Sequence, residues 1–501
     1  MNRPPKPEVL ILTTAIRKAY QLAGTHLVAA RDDWFGGLRF VPVLVAAATM
    51  LVISAIVAAD LLPLTAARLE RPSAALIADF GLWSRLRDAG LPVPNGGALG
   101  PAVIASTVVP FAAYSIAVLA VWGRDLTARG LAWLAVGALV MWAVVAFALP
   151  TYDTDIFNYI VSGRVGAVHG ANPHVVAPTA FPDDPLLGLA GARYTPIPGD
   201  NKLPGWTLVN VALAGLAGND PLANLFLYRG FFLALNIVNL GLIAVTVRRW
   251  QPRFVATALV LYGWHPIVTA VGESKVETLM VTLLLLAALA ITAGRPRLAI
   301  VGLAASSLVK LTTLPLLALT VLAKVWQRGW RETVVMGAIA FLVAAALYLP
   351  FGDPRVLLPV HAQLLGAGGS SFPEIVRPLL AVALVILILW LAAHQDGSAR
   401  TLIRSWALVA LFFAVFLTRI AFSWYLMPLI ALVAIVPTWP LVAAMIAYTA
   451  ASALFDAWFS FPLPPLLAIP TGLAYSLPVL VVAAGIVLLV LVRRMALIRS
   501  R

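Results

Sequence analysis

Long apolar runs follow one another along most of the chain, separated by short polar segments. Crossing a hydrocarbon core of roughly 30 Å takes about 20 helical residues, and many runs reach that length without the alternation typical of a barrel strand. This pattern predicts an all-α, polytopic transmembrane helix bundle of about 12–14 spans, including a possible re-entrant hairpin. The predicted spans are 38–59, 101–122, 130–149, 222–247, 253–271, 276–293, 334–350, 376–394, 403–419, 421–437, 439–457 and 473–492.

The composition supports lipid as the solvent of the fold. Of the 501 residues 61% are hydrophobic and only 11% charged, and the mean hydropathy is +0.95, which a soluble domain would not tolerate on its surface. The chain has no cysteine, which excludes disulfides, thiolate metal sites and cysteine nucleophiles. Residues 1–37 lack a convincing cleavage site and mix charged with apolar positions, so they predict a cytoplasmic amphipathic segment rather than a signal peptide.

The distribution of charge predicts the orientation of the bundle. With the N-terminus in the cytoplasm, most lysines and arginines fall on inner segments, including the basic stretches 248–253, 324–331 and 493–501. The sequence therefore predicts a multi-pass cell-membrane protein with both termini cytoplasmic and its active site on the outer face. The net charge of +14 is an orientation signal beside anionic lipid headgroups and predicts no nucleic-acid partner.

Two segments leave the number of spans open. Residues 298–323 are apolar but interrupted around Lys310, which favours two half-helices that form a re-entrant hairpin. One full span there would invert everything downstream and place 493–501 outside, against the charge rule. Residues 204–218 are interpreted as an outer interfacial or re-entrant helix. The predicted division is an N-terminal segment 1–37, a catalytic transmembrane module 38–350 with an outer loop 150–221, and C-terminal helices and outer loops 351–501.

The predicted outer loop carries the richest set of polar residues. Asp153 or Asp155 is placed to cap the N-terminus of a short helix, 156–168, and on that helix Asp155, Tyr159 and Ser162 share one face. The aspartates have two interpretations of equal weight. They cap the helix and face water, or one of them acts as a general base toward a hydroxyl at the membrane surface.

A second acidic group follows the predicted turn 272–275. Glu277 heads the next span, and Lys275 precedes it by two residues, so the pair is interpreted either as part of a site or as an interfacial salt bridge. Lys310 lies within an apolar segment, where a charge costs several kcal/mol unless it is paired or reaches the surface. At the tip of a hairpin its ammonium could bind a lipid phosphate.

Other polar residues carry weaker hypotheses. Arg419 ends one span beside Trp424 and Tyr425, which are more often an aromatic belt than a site. His265 is predicted to be packed and hydrogen-bonded rather than a ligand. No histidine spacing typical of a metal site and no phosphate-binding glycine loop occurs. The weakest candidates are Arg229, His361 and Asp456.

Together these residues resemble the integral-membrane glycosyltransferases of the GT-C superfamily, and most closely the bacterial polyprenol-phosphate-mannose-dependent α-1,6-mannosyltransferases. The order of the motifs carries the resemblance more than any one of them. The motifs are Asp155-x-x-x-Tyr159 followed by Gly163 and Gly170-x-Asn172-Pro173, then Trp264-x-Pro266, Glu277, Lys310 and Trp424-Tyr425. The chain departs from the family pattern at His174, where a tyrosine is usual, and at Lys275-Val276 before the second acid.

The resemblance implies transfer of a sugar, with mannose expected, from a polyprenyl-phosphate donor to an outer-face glycan or lipid-linked acceptor, with inversion to an α-linkage. The resemblance implies that Asp155 is the essential catalytic carboxylate, with Asp153 as a second catalytic residue. Residues expected to bind the donor phosphate or the substrate are Lys310, Glu277, Arg164, Arg193, Lys202, Tyr159, Lys275 and Arg419. No cofactor is required, although Asp153 and Asp155 would offer a divalent cation two carboxylates, which alone do not establish a metal site.

A transporter or flippase of a lipid-linked saccharide is the main alternative. It would also combine a long bundle, broken helices and an intramembrane lysine. Paired repeats are expected of that class, and the sequence shows no clear halves related by repetition. A purely structural membrane subunit leaves still more ionisable residues unexplained.

Overall fold

The computed structural model describes residues 99–148, 155–190, 195–198, 202–272, 274–353, 376–416 and 422–460. Within these ranges the chain is helical and has no strand, in agreement with the predicted all-α class. The α-helices are α1 Leu99–Val121, α2 Ala128–Ala148, α3 Asp155–Ala167, α4 Pro204–Ala217, α5 Pro221–Trp250, α6 Val255–Gly263, α7 Pro266–Val271, α8 Glu277–Thr292, α9 Pro296–Val309, α10 Leu314–Arg328, α11 Trp330–Tyr348, α12 Val376–Ala393, α13 Ala399–Phe416, α14 Met427–Ile435 and α15 Trp439–Ser460.

Four stretches of helix among the described residues are long and apolar enough to cross a membrane. They are Ala128–Phe147, Pro221–Trp250, Trp330–Phe351 and Ala399–Phe416. Their composition indicates a lipid bilayer environment, as the sequence predicts. The predicted N-terminal segment 1–37 and the predicted spans 38–59 and 473–492 lie outside the described residues.

The predicted span 253–271 is not one continuous helix. It is divided into α6 and α7 at Trp264 and His265, because Pro266 lacks the N–H that would continue the hydrogen-bonded ladder. His265 caps α7, accepting a hydrogen bond at Nδ1 from the Ile267 backbone N–H at 3.2 Å. Its Nε2 lies 3.3 Å from the Thr449 hydroxyl. The histidine is fully buried, so the prediction of a packed, hydrogen-bonded residue is confirmed.

Helices α9 and α10 fold back on each other around Lys310. Arg297, in the first turn of α9, pairs with Glu332 in the first turn of α11, four residues after α10 ends. The distance between Arg297 Nη2 and Glu332 Oε2 is 2.9 Å. The start of α9 and the end of α10 therefore lie at one end of the bundle. Lys310 lies at the opposite end, about 20 Å away along a helix of this length. We call this the Lys310 end.

The buried apolar side chains of the described residues form two hydrophobic cores. The larger joins most of the long helices, and the smaller joins α3, α4 and the first half of α5 through residues that include Phe157, Trp206 and Phe232.

Helix α4 approaches the C-terminal end of α9 closely. A Cβ atom on Gly205 would lie 2.8 Å from the Leu308 carbonyl oxygen. Glycine is therefore required where α4 passes the segment that ends in Lys310.

We expect Gly205→Ala to destabilise the protein by about 1–3 kcal/mol, because the added methyl meets backbone that cannot rotate away. Gly215→Ala is the matched control on α4, since the nearest atom to its Cβ would be the Ala167 Cβ at 3.7 Å. Thermal unfolding of both purified variants in detergent measures the difference. Equal unfolding temperatures for the two variants would contradict the close packing described here.

Candidate functional site

Asp155 and Lys275 form an ion pair across 120 positions of sequence, with 2.8 Å between Lys275 Nζ and Asp155 Oδ2. Asp155 is the first residue of α3, and Lys275 lies in the turn between α7 and α8. The lysine side chain is 0% exposed, whereas the aspartate side chain is 23% exposed. A partly exposed carboxylate is thus paired with a fully buried lysine.

Glu277 and Lys310 form a second ion pair beside the first, with the Lys310 ammonium donating to Glu277 Oε1. Here the exposure is reversed, because the glutamate side chain is 2% exposed and the lysine 17%. Lys275 and Lys202 bring further positive charge close to the Glu277 carboxylate. We call Asp155, Lys275, Glu277 and Lys310 the acid–lysine cluster.

Two aromatic rings cover the two lysines. Lys275 Nζ lies 3.6 Å from the centroid of the Trp424 ring, and Lys310 Nζ lies 3.7 Å from that of Tyr425. Both rings belong to a 3-10 turn, Ser423–Leu426, that precedes α14. Phe422 stacks on Trp424 at 4.5 Å between centroids. Each ammonium therefore contacts both a carboxylate and an aromatic face, a cation–π arrangement that strengthens where water is excluded.

Side-chain hydroxyls hold the helix break that presents Lys310. Ser306 donates to the Met280 carbonyl oxygen on α8 at 2.9 Å, and Thr313 donates to the Ser306 hydroxyl at 3.1 Å. Thr312 reaches the Met280 sulfur at 3.0 Å. In an apolar bundle the groups freed by such a break need partners, and these small polar residues link α9, α8 and the turn before α10.

Lys202 and Tyr159, both predicted to bind substrate, lie against each other beside the cluster. Lys202 lies over the Tyr159 ring at 5.5 Å, and its charge reaches Glu277. The Tyr159 ring is fully buried and packs edge-on against Trp206 at 5.0 Å. Tyr159 is thus part of the smaller core, and Lys202 is a third cation near the cluster.

Arg164 is not brought to the acid–lysine cluster. It lies at the other end of α3, about 13 Å along the helix axis from Asp155. Its guanidinium is buried and donates to Asp184 at 3.0 Å, to the Gly218 carbonyl oxygen at 2.7 Å and to Asn219 Oδ1 at 2.8 Å. These contacts join three segments of the smaller core, which is a structural role.

Asp184 is the centre of that second polar group. Burial raises the pKa of its carboxyl, but hydrogen bonds from the Leu186 backbone N–H, from His169 and from Arg164 outweigh burial and hold the pKa below its usual value. The His169 Nε2 lies 2.7 Å from Asp184 Oδ2, and its ring stacks on Phe181 at 4.0 Å.

We expect Asp184→Asn to lower the unfolding temperature at neutral pH, with a loss of about 3 kcal/mol, because Arg164 loses its buried counter-ion. A depressed carboxyl pKa stabilises the fold above the unfolded value, near 4, and that stabilisation is lost as the pH falls through the folded value. The difference from the unsubstituted protein should therefore shrink toward pH 3 in thermal unfolding. Asp183→Asn is the control, since Asp183 is exposed. A pH-independent difference would refute this role.

His174, where the chain departs from the family pattern, packs away from the cluster. It is buried with its ring edge-on to Phe351 at 4.6 Å, and burial lowers its pKa to about 4. Asn172 donates to the Phe351 carbonyl oxygen at 2.8 Å. This segment therefore attaches the end of α3 to the end of α11.

Several predicted site residues lie outside the described residues, namely Asp153, Arg193, His361 and Arg419, as does the side chain of Asp456. Arg229 is described and donates to the Val145 carbonyl oxygen at 2.8 Å, within the helix packing. Among the described residues no three histidine or acidic side chains are grouped as metal ligands would be. The divalent-cation site at Asp153 and Asp155 stays a prediction.

No protein-family model matches the chain, and neither a curated protein nor a solved structure is significantly similar to it. The acid–lysine cluster must therefore be interpreted from its own chemistry. It combines an accessible carboxylate and an accessible ammonium, each fixed by a buried opposite charge, at one end of an apolar helix bundle.

Proposed function

We propose that the protein is a membrane glycosyltransferase with a GT-C-like fold. It transfers a sugar, with mannose expected, from a polyprenyl-phosphate donor to a glycan or glycolipid acceptor, with inversion to an α-linkage. The observation that carries the proposal is the pairing of partly exposed Asp155 with buried Lys275 and of partly exposed Lys310 with buried Glu277. A donor of this kind has an apolar chain, a phosphate and a sugar, and the cluster offers a cation and a base beside apolar helices.

The reaction would be a single in-line displacement. The acceptor hydroxyl oxygen forms a bond to the anomeric carbon while the bond from that carbon to the phosphate oxygen breaks. Asp155 accepts the hydroxyl proton as general base, and the electron pair of the broken bond leaves with the phosphate. Lys310, aided by the charge of Lys202, donates hydrogen bonds to the departing phosphate. Lys275 keeps the Asp155 carboxylate in position throughout.

The orientation follows from the charge distribution of the whole chain. In the proposed topology both termini are cytoplasmic, and the Lys310 end lies on the outer face of a multi-pass cell-membrane protein. A lipid-linked donor then reaches the cluster from the outer leaflet, and the acceptor belongs to the cell envelope. No cofactor is needed, since the leaving group arrives with the donor.

We expect Asp155→Asn to lower the turnover number for sugar transfer by about 10²–10⁴-fold, because an amide cannot accept the hydroxyl proton. The assay uses the protein in lipid nanodiscs with a panel of radiolabelled polyprenyl-phosphate sugars and follows label into the acceptor fraction. Asp183→Asn, which changes an exposed carboxylate in the same way, should retain full activity. Full activity of a folded Asp155→Asn protein would remove the residue from the base role.

Lys310→Met should both raise the KM for the donor and lower turnover, with about 10²–10³-fold lost in kcat/KM, because the cation that faces the phosphate is gone. The KM for the acceptor should stay unchanged, which separates phosphate binding from a general loss of structure. A variant that impairs acceptor and donor equally would contradict the assignment. Movement of a lipid-linked saccharide across vesicles, without transfer of any donor sugar, would favour the transporter instead.

A further inference from the structure

A chain of buried, hydrogen-bonded polar side chains links α5, α6 and α8 to the Gly272 carbonyl, three positions before Lys275. The Tyr262 hydroxyl donates to Asn236 Oδ1 at 2.8 Å, and Asn239 Nδ2 donates to the Tyr262 oxygen at 3.0 Å. Asn236 Nδ2 in turn donates to the Gly272 carbonyl oxygen at 2.9 Å. The Thr278 hydroxyl donates to the same oxygen, also at 2.9 Å. All of these side chains are buried.

The Gly272 carbonyl lies at the start of the turn that carries both buried members of the cluster. Lys275 and Glu277 follow within five positions, and the Thr278 backbone N–H donates to the Lys275 carbonyl oxygen at 3.0 Å. A Cβ atom on Gly272 would lie 2.4 Å from the Val268 carbonyl oxygen, so the backbone is tightly confined here. Two side-chain donors thus hold the carbonyl that lies three positions before Lys275.

Burying polar side chains in an apolar bundle costs free energy unless their hydrogen bonds are made. A buried amide group left without a partner costs about 1–3 kcal/mol, so the hydrogen bonds of Asn236 stabilise the arrangement that makes them. Leucine side chains would pack α5 against α8 without this risk. Asn239 also donates to the Thr278 carbonyl oxygen at 3.3 Å, so the network links α5 and α6 both to the first turn of α8 and to the Gly272 carbonyl.

We infer that Asn236 is a positioning residue of the acid–lysine cluster. Its amide holds the Gly272 carbonyl and so sets the positions of Lys275 against Asp155 and of Glu277 in its own ion pair. The catalytic consequence of this inference rests on the proposed transferase function. The positional consequence does not, because the reactivity of Lys275 reports the geometry of the turn directly.

The test compares Asn236→Leu with Asn210→Leu in nanodiscs. The two asparagines are equally buried, each with 2% exposure, but Asn210 donates to Ser162 and accepts from Tyr228, away from the turn. The first measurement is the rate at which an amine-reactive reagent labels Lys275, read by peptide mass spectrometry with Lys324 as internal reference. The second is kcat and KM for transfer from the polyprenyl-phosphate donor.

Asn236→Leu should raise Lys275 labelling by about tenfold, because the turn opens more often once the Gly272 carbonyl loses a donor. It should lower kcat by about 10²-fold with little change in the donor KM, as expected when reacting groups shift by about 1 Å. Asn210→Leu should change neither quantity, although both variants lose thermal stability. Protected Lys275 in a folded Asn236→Leu protein, or equal labelling changes in the two variants, would overturn the inference.

Tyr262→Phe provides the milder variant if Asn236→Leu does not fold. It removes the hydroxyl that donates to Asn236 Oδ1 and accepts from Asn239, but it leaves the bond from Asn236 to the Gly272 carbonyl, so Lys275 labelling should rise by a smaller factor. Unchanged labelling in Tyr262→Phe would also count against the network. If no donor sugar is transferred by the unsubstituted protein, the transferase proposal fails, while the labelling arm still decides whether Asn236 positions the cluster.

Discussion

A charge buried in an apolar bundle needs an opposite charge beside it, because lipid-like surroundings offer no water to replace the lost solvation. In this protein that requirement joins four segments that are far apart in sequence. Asp155 is held by a lysine 120 positions away, Lys310 by a glutamate 33 positions away, and both lysines by aromatic rings from near residue 424. The same contacts place the starts of α3 and α8, the end of α9 and the turn before α14 at one end of the bundle.

Much of this arrangement could be predicted from the sequence, because ionisable residues are rare beside or within apolar segments of this length. Glu277 and Lys310 stand beside or within long apolar runs, and Asp155 opens a short helix after one, so each ionisable group demands an explanation. The polar residues around Lys310 predict the helix break there. The charge distribution also predicts which segments are inner and outer, and it assigns Asp155 and Lys275 to outer segments and Glu277 to the head of the span that follows.

Other features depend on partners that no local pattern reveals. The guanidinium of Arg164 is a group that commonly binds phosphate, which is why the residue is predicted to bind the donor. Its acceptors at Gly218 and Asn219 lie more than 50 positions away, and no local sequence pattern predicts them. The division of 253–271 into two helices is different, because Pro266 predicts that break from the sequence alone. Asn236 and Asn239 lie three residues apart on one helix face, a spacing that is visible in the sequence. Their shared partner, Tyr262, lies on another helix, so the spacing alone does not predict these hydrogen bonds.

The contrast between Arg164 and Lys310 separates a structural cation from one suited to a substrate. Arg164 is buried, and each of its guanidinium nitrogens donates to an oxygen of the protein, so an incoming phosphate would have to break contacts that hold the smaller core together. Lys310 has one carboxylate partner and one aromatic face, and its side chain remains 17% exposed. An ammonium has three donors, so a phosphate oxygen can be added without removing Glu277. Buried Glu277 thus holds the lysine in place at the edge of the bundle while leaving its open side for an anion.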